Sequence, residues 1–254
     1  MPPSPWAFLD HPGVLAFSHR GGASDAPENT MSAFEGAVAL GYRYVETDVH
    51  VTADGVLLAF HDDVLDRVTD RTGVIADLPY REVQHALVDG REPIPRFEEL
   101  LGAWPDLRIN IDPKHDSAVD ALAATLRRTD AVERVCIGSF SDARIARLRE
   151  LLGPALCTSF GPKGIARLRA GSFGVPTGEL AAACLQVPPA HKSVPIVDER
   201  FLRAAHDRML PVHVWTIDEP AEMHRLLDLG VDGIMTDRPS VLRDVLVSRG
   251  LWPS

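Results

Sequence analysis

Short β-like runs alternate with helical patterns from one end of the chain to the other. Candidate strands fall at residues 15–19, 44–52, 107–114, 134–140, 155–160, 184–187, 211–217 and 233–236. Helical segments follow most of them, at 30–40, 117–129, 142–152, 164–170, 199–209, 219–229 and 240–248. Eight strands, each followed by a helix, predict an α/β chain with a parallel sheet closed into a (β/α)8 TIM barrel. An open doubly wound sheet is the alternative, but no G-x-G-x-x-G follows the first strand. The length, 254 residues, suits such a barrel, so residues 1–254 are read as one domain.

Two stretches break the repeat. Residues 56–100 are too long for an ordinary loop between the second and third strands, and end in a helix at 97–103. They read as a small insertion after the second strand. Residues 187–198, after the sixth strand, are rich in proline.

The formal net charge is −10, which gives no general attraction to nucleic acid or to an anionic membrane leaflet. No apolar run approaches the roughly 20 residues that cross a bilayer. No leader-like segment stands at the start, and a stable membrane association is not expected. The cysteines, Cys136, Cys157 and Cys184, are odd in number, and no pair has metal-ligand spacing. They read as reduced and buried thiols of a cytoplasmic protein.

In a barrel the chemistry gathers at the C-terminal ends of the strands. The first strand ends in Ser18-His19-Arg20-Gly21-Gly22, the second carries Glu46 and Asp48, and the third carries Asn110, Asp112 and Lys114. Residues two apart on a strand share a face. Glu46 and Asp48 therefore point one way, as do Asp112 and Lys114. If that way is inward, three carboxylates converge, and only a cation relieves their repulsion. Oxygen ligands of this kind suit a hard ion, Mg²⁺ or Ca²⁺. The competing reading is a solvated strand face or a pair of salt bridges to Arg43 and Arg67.

These residues resemble a known family. His19-Arg20-Gly21-Gly22, Pro27-Glu28-Asn29-Thr30, Glu46-x-Asp48, Thr52-x-Asp54-Gly55, His61-Asp62, Leu65-x-Arg67-x-Thr69, Asn110-x-Asp112-x-Lys114, Trp215-Thr216 and Gly230-Val231-Asp232-Gly233 are similar to the blocks of the glycerophosphodiester phosphodiesterases, in order along nearly the whole chain. The resemblance implies hydrolysis of a small glycerophosphodiester to glycerol 3-phosphate and an alcohol, with Mg²⁺ or Ca²⁺ as cofactor. It implies that His19 and His61 are catalytic and that Glu46, Asp48 and Asp112 hold the metal. It also implies that Arg20 and Lys114 face the phosphate and that Trp215 lies near the glycerol. One departure is Asp112, where the family usually carries Glu; the side chain is one methylene shorter.

Two histidines can divide the proton transfers, because imidazole titrates near neutrality. His19 is assigned as base and His61 as acid; the reverse order fits the sequence as well. Direct attack by water and attack by a substrate hydroxyl through a cyclic phosphate also both fit. Asn29 or Thr30 caps the first helix, Gly21 and Gly22 form a tight turn or approach a phosphate, and Asp237 orients a site residue or opens the last loop.

Two other activities are alternatives. One is a phospholipase D-like or cyclising phosphodiesterase acting on lysolipids, for which an apolar exposed rim is expected. The charged insertion, with Asp62, Asp63, Asp66, Arg67, Asp70 and Arg71, favours a water-soluble substrate instead. The other is a barrel that binds phosphate without catalysis; the presence of every motif residue argues against it.

Overall fold

The computed structural model of the protein describes residues 4–192 and 194–252. Its parallel strands are β1 (Leu15–Ser18), β2 (Tyr44–Val51), β3 (Arg108–Pro113), β4 (Val135–Ile137), β5 (Cys157–Thr158), β6 (Leu185–Val187), β7 (Val212–Val214) and β8 (Gly233–Thr236). They lie side by side in the order β5-β4-β3-β2-β1-β8-β7-β6. The two ends meet: Ser159 bridges Cys184 in parallel, and the Phe160 N–H donates to the Cys184 carbonyl at 3.0 Å. The sheet is therefore the closed barrel that the alternation predicts.

Helices α1 (Met31–Ala39), α2 (Phe97–Ala103), α3 (Ala118–Arg128), α4 (Asp142–Leu152), α5 (Pro162–Gly171), α6 (Glu199–His206), α7 (Pro220–Leu229) and α8 (Pro239–Ser248) cover the outside. The helix ends follow local chemistry. Thr30, Ser141 and Asp198 each accept a backbone N–H in the first turn of α1, α4 and α6. Proline opens α5, α7 and α8, where its missing N–H costs nothing. The outward strand residues, such as Val45, Val49, Ile109 and Ile111, pack with Phe34, Leu122 and Leu126 from the helices in the main core.

The barrel interior is a second core, with Leu15, Phe17, Tyr44, Cys136, Cys157, Cys184 and Met235. A turn of 3₁₀ helix at Ala7–Leu9 plugs its lower end. Phe8 is fully buried there, with its ring 5.3 Å from Tyr44, whose hydroxyl donates to the Phe8 carbonyl at 2.8 Å. The lower end is thus closed by aromatic packing, and any ligand must enter from the C-terminal ends of the strands.

The stretch after β2 folds back on it. Leu57–Ala59 pairs antiparallel with β2, Val49 facing Ala59. A small core of Leu58, Phe60, Leu65, Ile75, Val83 and Val88 holds the rest of the insertion together. The hairpin has a direct consequence: the chain runs up β2 and returns, so the Phe60 N–H donates to the Asp48 carbonyl at 2.9 Å. His61 is thereby delivered to the barrel mouth beside Asp48. The proline-rich segment after β6 contains a small ribbon, Ala190–His191 against Val194–Pro195.

Candidate active site

The parity of the strands decides what faces the interior. Phe17 and His19, Tyr44, Glu46 and Asp48, Arg108, Asn110 and Asp112, and Cys184 and Gln186 each step by two along one face. Aromatic and thiol groups occupy the lower layers and polar groups the top. The top layer opens into a cavity of about 530 Å³ lined by all eight residues singled out in the sequence: His19, Arg20, Glu46, Asp48, His61, Asp112, Lys114 and Trp215.

Both histidines stand on carboxylates. His19 Nδ1 donates to Asp237 Oδ1 at 2.6 Å, and its Nε2 lies 3.6 Å from Glu46 Oε2. Burial works to lower the His19 pKa, but Glu46 and Asp237 outweigh it and hold the pKa above the ordinary value. His61 Nδ1 lies 2.5 Å from Asp62 Oδ1. Arg67 grips the other Asp62 oxygen at 2.5 Å and forks onto Glu28 at 2.6 and 3.0 Å. Burial would raise the Asp62 pKa, yet Arg67 and His61 bring it down to about 2. His50, two residues past Asp48, pins the strand return by contacting the His61 carbonyl at 3.0 Å. His19 and His61 are thus each held through Nδ1, and His50 through Nε2.

The carboxylates face one cavity, as the parity argument requires, without closing to metal-ligand distance of one another. Glu46 and Asp48 are both buried. Burial and the neighbouring Asp48 push Glu46 up to about 7. Lys114 Nζ bridges Asp48 Oδ1 at 2.7 Å and Asp112 Oδ2 at 2.9 Å. Its charge serves Asp48 first: Lys114 and Arg20 overcome the burial of Asp48 and lower its pKa, whereas burial prevails at Asp112 and raises it. Arg20 Nε approaches Asp48 Oδ2 at 3.3 Å, and its Nη1 donates to Glu28 Oε1 at 3.1 Å. The two expected phosphate-facing cations therefore line the cavity while resting on its carboxylates. Glu46 has no Lys or Arg side chain within 4.0 Å. Three carboxylates line one mouth and offer the oxygen donors that a hard divalent cation takes, while Lys114 stands between Asp48 and Asp112 and the three do not bring oxygens within 4.8 Å of one another.

The turn after β1 needs its glycines. Arg20, Gly21 and Gly22 have φ of 51°, 81° and 103°. A Cβ on Gly21 would lie 2.7 Å from the Ala33 Cβ, and one on Gly22 would lie 2.6 Å from the Pro239 Cγ. The tight-turn reading accounts for both residues. The capping of α1 falls to Thr30. Asn29 instead bridges the site, accepting from Thr47 Oγ1 at 2.7 Å and donating to Asp48 Oδ2 at 3.3 Å.

The sequence reading missed several lining groups. Gln186 donates to Asn110 Oδ1 at 2.8 Å across the floor of the cavity. Asp62 was legible only as part of a motif and as surface charge. An apolar wall was not foreseen: Phe140, Phe160, Pro162, Ile165, Pro188 and Ile196 line the side opposite the carboxylates together with Trp215. Phe140 is 70% exposed and meets Trp215 edge-on at 5.7 Å.

Residues 19–241 match the model of the glycerophosphoryl diester phosphodiesterase family. The chain belongs to that family. A Mycobacterium tuberculosis protein described as a probable glycerophosphodiester phosphodiesterase 2 is 41% identical over 96% of this chain and 95% of its own length. A lysophospholipase D of Homo sapiens is 30% identical over 90% of this chain and 85% of its own. The crystal structure of a glycerophosphodiester phosphodiesterase from Agrobacterium tumefaciens superposes with a TM-score of 0.75 at 25% identity, covering 91% of this chain and 99% of that one. The matched stretch of this chain begins at His19, at the mouth of the barrel where both histidine–carboxylate pairs stand.

Proposed function

We propose that the whole chain acts as one glycerophosphodiester phosphodiesterase that releases glycerol 3-phosphate and an alcohol. One observation carries the reading: two carboxylate-oriented histidines share a cavity with three carboxylates and two cations. Glu46, Asp48 and Asp112 would hold one divalent ion, Mg²⁺ or Ca²⁺. When bound, it supplies positive charge against the oxygens of the phosphate.

The chain's own residues do the rest. Arg20 offers a fork and Lys114 a point charge to the phosphate oxygens, both already turned into the cavity. His19, its proton affinity raised by Glu46 and Asp237, takes the proton of the attacking hydroxyl through Nε2. His61, fixed by Asp62, returns a proton to the departing alkoxide. Trp215 packs against the glycerol carbons. The three unpaired thiols support a reducing compartment, the cytoplasm; among the described residues, no helix is long and apolar enough to cross a membrane.

The test is glycerol 3-phosphate release from glycerophosphocholine by the purified protein, with Mg²⁺, with Ca²⁺ and with a chelator, beside His19→Ala. Release that needs the ion and vanishes in the variant is expected. A folded protein that releases nothing from any glycerophosphodiester overturns the proposal.

The apolar wall favours a second reading. An exposed Phe140 against Trp215 offers an alkyl chain a surface that a small polar head group does not use. A lysophospholipid, itself a glycerophosphodiester with one acyl chain, would lay that chain along Phe140, Phe160 and Ile165. The charged insertion, read as evidence for a water-soluble substrate, forms only one side of the mouth.

A further inference from the structure

Beneath the polar layer of the barrel lies a second group of side chains with metal-ligand chemistry. Cys136 on β4, Cys157 on β5 and Cys184 at the foot of β6 all point inward, and all three are free and buried. Their sulfurs lie within 4.8 Å of one another, the one such grouping of three Cys, His, Asp or Glu donors among the described residues. Cys136 Sγ and Cys184 Sγ are 3.9 Å apart. Metal–sulfur bonds of about 2.3 Å in a tetrahedron put neighbouring sulfurs about 3.8 Å apart. The thiols thus already stand near the spacing that a thiolate-bound cation demands.

A candidate fourth donor lies against one of them, outside the 4.8 Å grouping. His213 on β7 is fully buried, and both its ring nitrogens lack a hydrogen-bond partner. Its position opposite Gln186 in the β6–β7 register turns it to the interior face that Cys184 also occupies, and its imidazole lies against the Cys184 thiol. A buried imidazole that makes no hydrogen bond loses what water would give it unless something completes it. Plain packing accounts for small buried thiols, which behave as modest hydrophobes. It does not account for a fully buried histidine whose ring nitrogens meet, at most, the Cys184 thiol.

We propose that Cys136, Cys157 and Cys184 hold a thiophilic cation, Zn²⁺ in the first instance, with His213 turning in from β7 as the fourth ligand, at a site distinct from the carboxylate site above it. Sulfur and imidazole select a softer ion than the oxygens of Glu46, Asp48 and Asp112 do. Binding replaces three S–H bonds with three S–metal bonds, and three protons leave to solvent. The bound set carries one net negative charge, and Arg149, which reaches Thr158 Oγ1 at 2.8 Å beside Cys157, supplies an opposing charge. Gln186 and Asn110 roof the cluster, Gln186 Nε2 lying 4.0 Å from Cys136 Sγ, so the ion enters as the barrel folds. Its role is structural: it ties four adjacent strands across the seam where β5 meets β6.

The experiment is refolding of the full chain from denaturant with Co²⁺ as probe, followed by chelator and desalting. Cobalt content and the near-ultraviolet thiolate-to-cobalt charge-transfer band are then read. The carboxylate site yields no such band, and the readout does not depend on hydrolysis. The expected result is one chelator-resistant cobalt per chain with the band, displaced by Zn²⁺, and loss of both in Cys157→Ala and in His213→Phe. Wild-type protein that refolds with Co²⁺ present and shows no thiolate band overturns the proposal, whatever the variants do. So does a band that persists undiminished in Cys157→Ala, and the cysteines are then core packing alone.

Discussion

His19 and Asp237 are 218 residues apart in the chain and 2.6 Å apart at the mouth of the barrel. The pairing exists because β1 and β8 are neighbours in register, Ser18 against Thr236, so the residues that follow them meet. Asp218 in turn holds Asp237 by accepting its backbone N–H at 2.8 Å. The contact with Asp237 fixes the proton on Nδ1 of His19, which leaves Nε2 for the proposed proton transfer. Asp237→Asn keeps the shape but offers an amide in place of a carboxylate, which disturbs the tautomer. kcat is expected to fall about 10²- to 10⁴-fold with little change in KM. A rate within threefold of wild type in steady-state kinetics would remove Asp237 from the site.

Asp62 makes the matching contact to His61, and it carries a pH signature. Its pKa in the folded protein is about 2, against an ordinary 3.8. A depressed carboxylate contributes stability that is complete above its unfolded pKa and is lost as pH falls through the folded one. The window therefore runs from about pH 5 down to about pH 2. Arg67 is half exposed, so solvent screening reduces the contribution to about 1 kcal/mol. Urea unfolding of wild type and Asp62→Asn at pH 6 and pH 3 checks this. The gap between them is expected to narrow on acidification, and a constant gap would exclude the ion pair as its source.

How far the sequence spoke for the fold depended on how local each signal was. The strand at Gly233–Thr236 and the helix at Asp142–Leu152 were legible to the residue, because turn and capping residues bound them. The strand expected at residues 134–140 is only Val135–Ile137, because past Ile137 the backbone leaves the ladder to form the cavity wall at Gly138 and Phe140. Glu46 and Asp48 could be placed on one face by spacing alone. Nothing local joined Asp237 to His19, or His213 to three cysteines on three other strands, since barrel closure and interstrand register create those meetings. The apolar wall escaped notice because its residues come from several separate loops, each unremarkable alone.

Gly22 tests how tightly the turn after β1 is built. Its φ is +103°, and an added Cβ would lie 2.6 Å from the Pro239 Cγ and 2.9 Å from the Cδ. Gly22→Ala therefore combines backbone strain with a clash against a ring that cannot yield. A loss of about 2–4 kcal/mol is expected. Gly36, inside α1, has open space around it and an ordinary φ. Gly36→Ala is expected to stabilise by about 0.5–1 kcal/mol. Thermal unfolding of the two variants should move in opposite directions.

Removal of the divalent ion should abolish hydrolysis, and its return should restore it. Glu46→Gln removes the charge of a proposed ligand, one that burial and then its repulsion with Asp48 raise to about 7. The concentration of Mg²⁺ or Ca²⁺ needed for half-maximal rate is expected to rise about tenfold or more, the equivalent of about 1.4 kcal/mol in ion affinity. Titration of activity with each ion reads this directly. An unchanged requirement would place the ion elsewhere.

Phe140 separates the two substrate classes. It is 70% exposed, lies edge-on to Trp215 at 5.7 Å and touches none of the carboxylates or histidines by hydrogen bond or charge. Phe140→Ser should therefore leave the hydrolysis of glycerophosphocholine within about twofold of wild type. If an acyl chain lies along the wall, the same change exposes part of it to water. Burial of apolar area contributes about 25 cal/mol per Å², so the loss of a phenyl face of roughly 60 Å² amounts to about 1.5 kcal/mol, or about tenfold in kcat/KM for a lysophospholipid. A selective tenfold loss assigns the wall to the chain of a lipid substrate. Equal, small effects on both substrates leave the wall as the rim of a site for deacylated diesters. A large loss on glycerophosphocholine itself would mean that Phe140 also holds Trp215 against the glycerol, and Phe140→Tyr, which keeps the edge contact, should then restore it.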